Sequence, residues 1–101
     1  MLIIGDCCLL DWEESPFPVL FSRPIVKVKE ANTIDPCICG RIWVQETTNK
    51  EWYSDLSNYY GAGCIEHSMK HYTSPRFPTM QEARDDVDKF LLRMQEMIAF
   101  L

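Results

Sequence analysis

Apolar residues recur with alternating spacings of three and four over the last quarter of the chain, at Met80, Ala83, Val87, Phe90, Met94, Met97 and Leu101. Leu91 and Ile98 widen the stripe. This is the period of one face of an α-helix. No Gly or Pro interrupts residues 79–101, and Pro78 stands just before them. Thr79-Met80-Gln81-Glu82 has the capping-box pattern, in which the Thr hydroxyl accepts from the amide of the Glu and the Glu side chain reaches back to the amide of the Thr. Acids crowd the first turns, where the helix dipole favours them. Asp85 and Lys89 have the i,i+4 spacing and polarity of a favourable pair. The pattern predicts a helix of about 22 residues, roughly 33 Å long. Its stripe is expected to lie across a sheet. A seam with a second copy of residues 80–101 is the alternative, because the heptad spacing holds for three repeats. Leu92 and Phe100 fall off the stripe and point to a contact on another side of the helix.

The preceding residues carry the period and punctuation of strands. Leu2 to Leu10 is an apolar run that predicts a buried strand. Val19-Leu20-Phe21 and Ile25-Val26-Lys27-Val28-Lys29 flank Pro24, which predicts a strand at an edge or broken at the proline. Ile38 to Thr47 and Glu51 to Leu56 predict an antiparallel hairpin with its turn near Asn49. Within it Ile38, Ile42 and Val44 face the core, and Arg41, Trp43 and Gln45 face outward. Residues 58–63 read as a loop. Cys64 to Tyr72 alternates with period two, placing Ile65, His67, Met69 and His71 on one side, and predicts a further strand. A helix with Tyr60, Cys64, His67 and His71 on one stripe is the alternative. The fold class is α+β: an antiparallel four- or five-stranded sheet packed on one face by a long C-terminal helix. The whole chain, 1–101, is one domain, strand-rich over 1–56, a connection over 57–78 and helical over 79–101.

Composition narrows the setting. At 101 residues, 47% apolar and 25% charged, the chain has ordinary globular usage for a single domain. No apolar run approaches the roughly 18 residues of a membrane span. The N-terminal run lacks a basic flank and a small-residue cleavage site, and Asp6 interrupts it, so it does not read as a secretory signal. Five cysteines is an odd count, against a closed disulfide framework. Together these predict a cytoplasmic protein whose thiols stay reduced, most of them small buried hydrophobes. The net charge of −5 argues against nucleic acid as a partner. Two acidic clusters, Asp11 to Glu14 and Glu82 to Asp88, would attract a basic partner surface if they shared a face.

Three constellations bear on chemistry. Cys37, Cys39, Cys64, His67 and His71 are the zinc candidates, since structural zinc takes four thiolates or imidazoles. Their weakness is Cys37-Ile38-Cys39, a tighter chelate than the usual spacing. Cys64 follows Gly61-Ala62-Gly63, and His67, His71 and Asp55 are at hand for a thiolate nucleophile, but Gly61 and Gly63 are equally a turn. Gly61-Ala62-Gly63 lacks the third glycine of a phosphate cradle. The remaining feature is aromatic density: Trp43, Trp52, Tyr53, Tyr59, Tyr60 and Tyr72 fall within thirty residues. A sheet covered by one helix has a second face that meets water or a partner, and Trp, Tyr and Arg dominate binding hot spots. Trp43, Trp52, Tyr53, Tyr59, Tyr60 and Arg41, with Leu92 and Phe100 on the helix, are therefore the candidate partner-binding residues. The competing account is that the aromatics fill a small second core.

The reading that follows is a small non-catalytic acidic protein-binding domain without a cofactor, an inhibitor or adaptor acting on another protein or protein complex. By class-level analogy this includes proteins that phages and mobile elements direct against host complexes. The alternatives are a zinc- or Cys/His-centred domain and a single-stranded nucleic-acid binder using the aromatics as stacking platforms beside Lys27, Lys29 and Arg41. A homodimer through the helix is compatible with each. Native mass spectrometry separates out the metal branch: zinc bound at one equivalent supports it, and a folded apo protein indifferent to chelator removes it.

Overall fold

The structure is a computed structural model, and it describes residues 2–15, 20–30, 33–58, 63–70 and 72–99. Six strands and two helices follow in the order β1 (Leu2–Ile4), β2 (Cys7–Leu9), β3 (Glu13–Ser15), β4 (Leu20–Glu30), β5 (Thr33–Glu46), β6 (Trp52–Asn58), α1 (Gly63–Met69) and α2 (Met80–Ala99). The architecture is α+β: one antiparallel sheet ordered β1-β2-β4-β5-β6, with β3 also paired to β4, and α2 packed across it.

The strands exceed the expected four or five because the N-terminal apolar run is a hairpin and not one strand, and because Glu13–Ser15, not foreseen as a strand, pairs with β4 as β3. Gly5 takes a positive φ of 60°, and Ile4 pairs with Cys7 across the Gly5-Asp6 turn. A Gly-Asp step between apolar residues is a two-residue hairpin signal, so the run folds on itself. The turn near Asn49 forms as expected. Thr47 Oγ1 accepts from the amides of Asn49 and Glu51 at 3.2 Å each, and Lys50 adopts the left-handed conformation.

Pro24 lies in the middle of β4, which is neither broken nor at an edge. Two short strands share one side of β4: β3 pairs with Leu20–Ser22, and β2 pairs with Ile25–Lys27. Pro24 falls in the gap between them, and its carbonyl accepts from the Leu10 amide at 2.9 Å. In an antiparallel strand the amide and carbonyl of one residue point to the same side. The proline nitrogen therefore faces the gap, and the ladder to β5 loses no donor.

Residues 63–69 are the helix α1, not the strand that period two predicts. Ile65 is fully buried in the main core and Met69 packs on that core, while His67 is exposed. Spacing of four, not two, joins the two apolar residues, because the segment meets the sheet as a helix lying against β2 and β6. After α1, residues 72–77 run back along β6 as a strap. Trp52 and Phe77 exchange amide–carbonyl bonds of 2.8 and 2.9 Å, and the Ser54 amide donates to Ser74 Oγ at 2.7 Å. The strap covers the outer edge of β6 with short pairing, a protection that edge strands need.

The helix α2 begins as its sequence predicts, with the Glu82 amide donating to Thr79 Oγ1 at 3.2 Å. Its stripe is used against the sheet: Ala83, Val87, Leu91 and Met94 are buried with Ile25, Ile42, Val44 and Ile65. Met97 leaves the sheet and is 69% exposed. Asp85 accepts from Gln81 at 2.8 Å in place of the Lys89 expected at i,i+4. Leu101 and Phe100 lie outside the described residues.

One polar node sits among these apolar contacts. Arg23, its side chain 9% exposed, points to the helix side of β4 and donates from Nη1 to Asp88 Oδ1 at 3.1 Å and from Nε to the Leu10 carbonyl at 2.9 Å. Trp12 Nε1 donates to both carboxylate oxygens of Asp88, at 3.0 and 3.2 Å. The Trp12 ring also meets two guanidinium groups, Arg84 at 5.2 Å and Arg23 at 5.9 Å from its centroid, a favourable use of the ring's negative face. Removing one partner of a nearly buried ion pair leaves the other uncompensated. Asp88 is itself 38% exposed, which tempers the loss. Asp88→Ala is expected to cost about 2–3 kcal/mol by urea denaturation; a change within about 0.5 kcal/mol would mean that the node does not hold the helix to the sheet.

Candidate functional site

The hairpin register decides which aromatics stand together. Trp43 pairs with Asp55 and Gln45 with Tyr53 across β5 and β6, and Trp43 pairs with Ser22 of β4. Side chains alternate along a strand, so Arg41, Trp43, Gln45, Tyr53 and Asp55 share the face turned away from α2. Ile42 and Val44 face the core as expected. Ile38 is only half-buried. A bulge between Ile25/Gly40 and Val26/Ile38 inserts Cys39 as an extra residue, and Cys39 takes the core position instead, donating from Sγ to the Ile25 carbonyl at 3.2 Å.

The outer face is organised by cations over rings. The Arg41 guanidinium lies 5.9 Å from the Trp43 ring, and Arg76 of the strap lies 4.1 Å from the Tyr53 ring. Arg41 is held in place by an ion pair to Glu13 and a 3.0 Å bond to Ser22 Oγ. Arg41, Trp43 and Tyr53 are half-buried and Arg76 is exposed. Arg76 is the member that sequence reading missed. No local pattern links it to Tyr53; only the return of the strap along β6 does.

The other partner-binding candidates separate from this patch. Trp52 belongs to the opposite set of β6 and packs on the main core, because Tyr53, not Trp52, shares the face of Trp43. Leu92 is 49% exposed on α2, in the layer across the sheet. Tyr59, Tyr60 and Phe100 lie outside the described residues. Of the two acidic clusters, Glu13 turns to Arg41 on the outer face, whereas Asp88 holds Arg23 and Trp12 on the inner one.

Three of the described cysteines, Cys7, Cys8 and Cys39, are buried. Cys7 and Cys8 are fully buried, and their alternation puts them on opposite faces of β2. Burial, with the Asp6 carboxylate beside it, pushes the Cys7 thiol up to about 12; thiolate nucleophiles need the opposite shift. Burial also raises Cys8. Cys37 is exposed on β5, where its amide donates to Asp35 Oδ1 at 2.8 Å, while Cys39 is buried. The bulge therefore turns the two thiols of Cys37-Ile38-Cys39 apart. His67 is exposed on α1, the Cys64 side chain and His71 are outside the described residues, and among the described residues no three metal-ligating side chains come together.

Tyr72 closes the space beneath α1. Its ring stacks on Phe90, centroids 4.5 Å apart and planes tilted by 35°, and its hydroxyl donates to Asp86. Burial and the bond to Asp86 push the phenol up to about 12 from an ordinary 10.0.

Compared with protein-family models, curated proteins and solved structures, the chain matches none. Among the described residues no helix is long and apolar enough to cross a membrane.

The Tyr72 shift has a definite sign. The folded state keeps a proton that the unfolded state has lost, so the stabilisation is complete below pH 10 and falls as pH rises from about 10 to about 12. Tyr72→Phe is expected to flatten that part of the alkaline stability loss. An ultraviolet titration in which all 4 tyrosines ionise at the ordinary value would contradict the buried, Asp86-bound phenol.

Proposed function

We propose that this chain is a small acidic protein-binding domain without catalytic activity, working as an inhibitor or adaptor that docks another protein through the outer face of its sheet. The observation that carries this reading is the patch of Arg41, Trp43, Tyr53 and Arg76, half-buried aromatic rings each capped by a guanidinium on the face that α2 leaves open. Trp, Tyr and Arg are the residues that carry most binding energy at protein interfaces. Rings already packed against neighbours lose little side-chain freedom when a partner covers them. The remaining chemistry points the same way: burial shifts Cys7 and Cys8 toward the unreactive thiol, and the acidic balance of the chain suits a basic protein surface. The same balance counts against the nucleic-acid reading, since only Arg41 of its three proposed cations stands beside the rings; Lys27 and Lys29 pair with Asp6 and Asp35.

The test compares two tryptophans. Trp52 packs on the core and Trp43 on the open face. Trp52→Ala is expected to cost about 3 kcal/mol of stability, and Trp43→Ala about 1 kcal/mol or less. In affinity capture from the native host cell, Trp43→Ala should lower recovery of the specific partner at least about tenfold with the fold intact. Undiminished recovery, or a stability loss at Trp43 equal to that at Trp52, sinks the docking face.

A further inference from the structure

Helix α2 leaves apolar surface uncovered along its C-terminal half. With α1 it walls an open groove of about 320 Å³, lined by His67 and Ser68 of α1 and by Phe90, Arg93, Met94 and Met97 of α2. Phe90 and Met94 reach the groove from the core, against which Phe90 packs and in which Met94 is buried. Met97 is 69% exposed, the most open large apolar side chain among the described residues. The four α2 residues are spaced i, i+3, i+4 and i+7. Those are the four positions that together form one hole for a knob from a facing helix. The hole lies beside the Ala83, Val87 and Leu91 stripe that is spent on the sheet, so it is a second seam on the flank of the helix. Arg93 and Glu96 border it, both exposed, and among the described residues neither enters an ion pair.

We propose that this groove is the interface of a two-fold homodimer, in which α2 lies antiparallel against α2 of a second copy and Met97 of each chain fills the hole of the other. An isologous contact needs one patch that is both knob and hole, and this patch carries both. Methionine suits the role, since its unbranched, polarizable side chain fills an irregular space. The register follows from the spacing. Met97 centred on the hole sits level with Arg93 and Met94 of the second copy, and the two-fold axis then passes near Gln95. At that register Glu96 of each chain comes level with Met94 of the other, about 1.5 Å along the helix from the level of Arg93. The rotation that seats Met97 therefore also sets Arg93 beside Glu96 twice, and the patch is complementary to itself in charge as well as in shape. A parallel pairing would set Arg93 against Arg93 and Glu96 against Glu96 at equal height, an unfavourable meeting of like charges. The contact uses the helix layer and leaves Arg41, Trp43 and Tyr53 on the opposite face of the sheet, so it does not rest on the docking reading.

Sedimentation equilibrium of the full chain tests the dimer. The chain is expected to pair at high concentration and to separate on dilution, with a dissociation constant tighter than about 1 mM. Met97→Gln should weaken the pairing at least about tenfold with an unchanged circular dichroism spectrum, because Met97 stands outside the core. Arg93→Glu and Glu96→Arg should each weaken it, and the two changes together should recover it, since exchanging the charges keeps them complementary across the two-fold. Leu92→Gln, at a side chain 49% exposed on another side of α2, should leave it unchanged. A chain still single at about 1 mM, a dimer indifferent to Met97→Gln, a dimer weakened by Leu92→Gln instead, or no recovery in the exchanged pair overturns it. A single chain that binds a different protein and loses it in Met97→Gln assigns the groove to that protein and overturns the second copy. Trp43→Ala should leave the pairing untouched, so the dimer and the docking face fail separately.

Discussion

The helix α2 has one place to bury its apolar stripe, and that is the face of the sheet carrying Ile25, Ile42 and Val44. Ala83, Val87 and Leu91 are essentially inaccessible there, and burial of side chains of this size is the main favourable contribution in a domain this small. Everything else is arranged around that contact. Because the sheet uses one face for the helix, Arg41, Trp43 and Tyr53 are left on the opposite face. Near the C-terminal end of α2, Met97 lies outside the core and stands in the open. The helix α1, set against β2 and β6, closes the core from the end and brings Ile65 into it.

Charge is distributed by the same geometry. A chain with an excess of five acids places its arginines where they do the most local work. Arg23 ties the helix to the sheet through Asp88, Arg84 lies over Trp12 and Phe21, Arg41 over Trp43, and Arg76 over Tyr53. Each of these four guanidinium groups is thus held against a ring or a carboxylate, and Glu82, Asp85 and Asp86 border the strap. The surface therefore carries two chemistries: rings with cations on the sheet face away from α2, and carboxylates of α2 beside the strap.

Strand β6 is the element that joins them. Its even-numbered residues Trp52, Ser54 and Leu56 turn toward the helices, and Tyr53 and Asp55 turn out. The strap secures its edge by backbone pairing at Trp52 and by Ser74 at Ser54. A one-residue slip of the β5–β6 register would exchange the two sets, burying Tyr53 and exposing Trp52. The Thr47-centred turn fixes that register.

Much of this was legible along the chain. The 3,4 stripe and the Thr79 cap foretell α2, the alternation of Ile42 and Val44 foretells the core face of β5, and the outward position of Arg41 and Trp43 follows from the same alternation. The Gly5-Asp6 step carried its hairpin signal too, hidden within an apolar run. What these features share is range: periodicity, capping and turn chemistry are set by residues within a turn or two of one another. The rest depends on residues far apart in the chain. Ile65 and Met69 fit period two and period four alike until the sheet gives them a surface to meet. Pro24 is tolerated in a central strand only because β2 and β3 part beside it. Cys39 enters the core through a bulge that exists only when β4 and β5 pair. Arg76 reaches Tyr53, and Tyr72 reaches Asp86, only because the strap folds back. Local sequence determined the long helix α2, the β5–β6 hairpin and which of their sides are apolar. Pairing between distant segments decided which side chains stand together, since register and docking are settled by contacts that no short stretch of sequence contains.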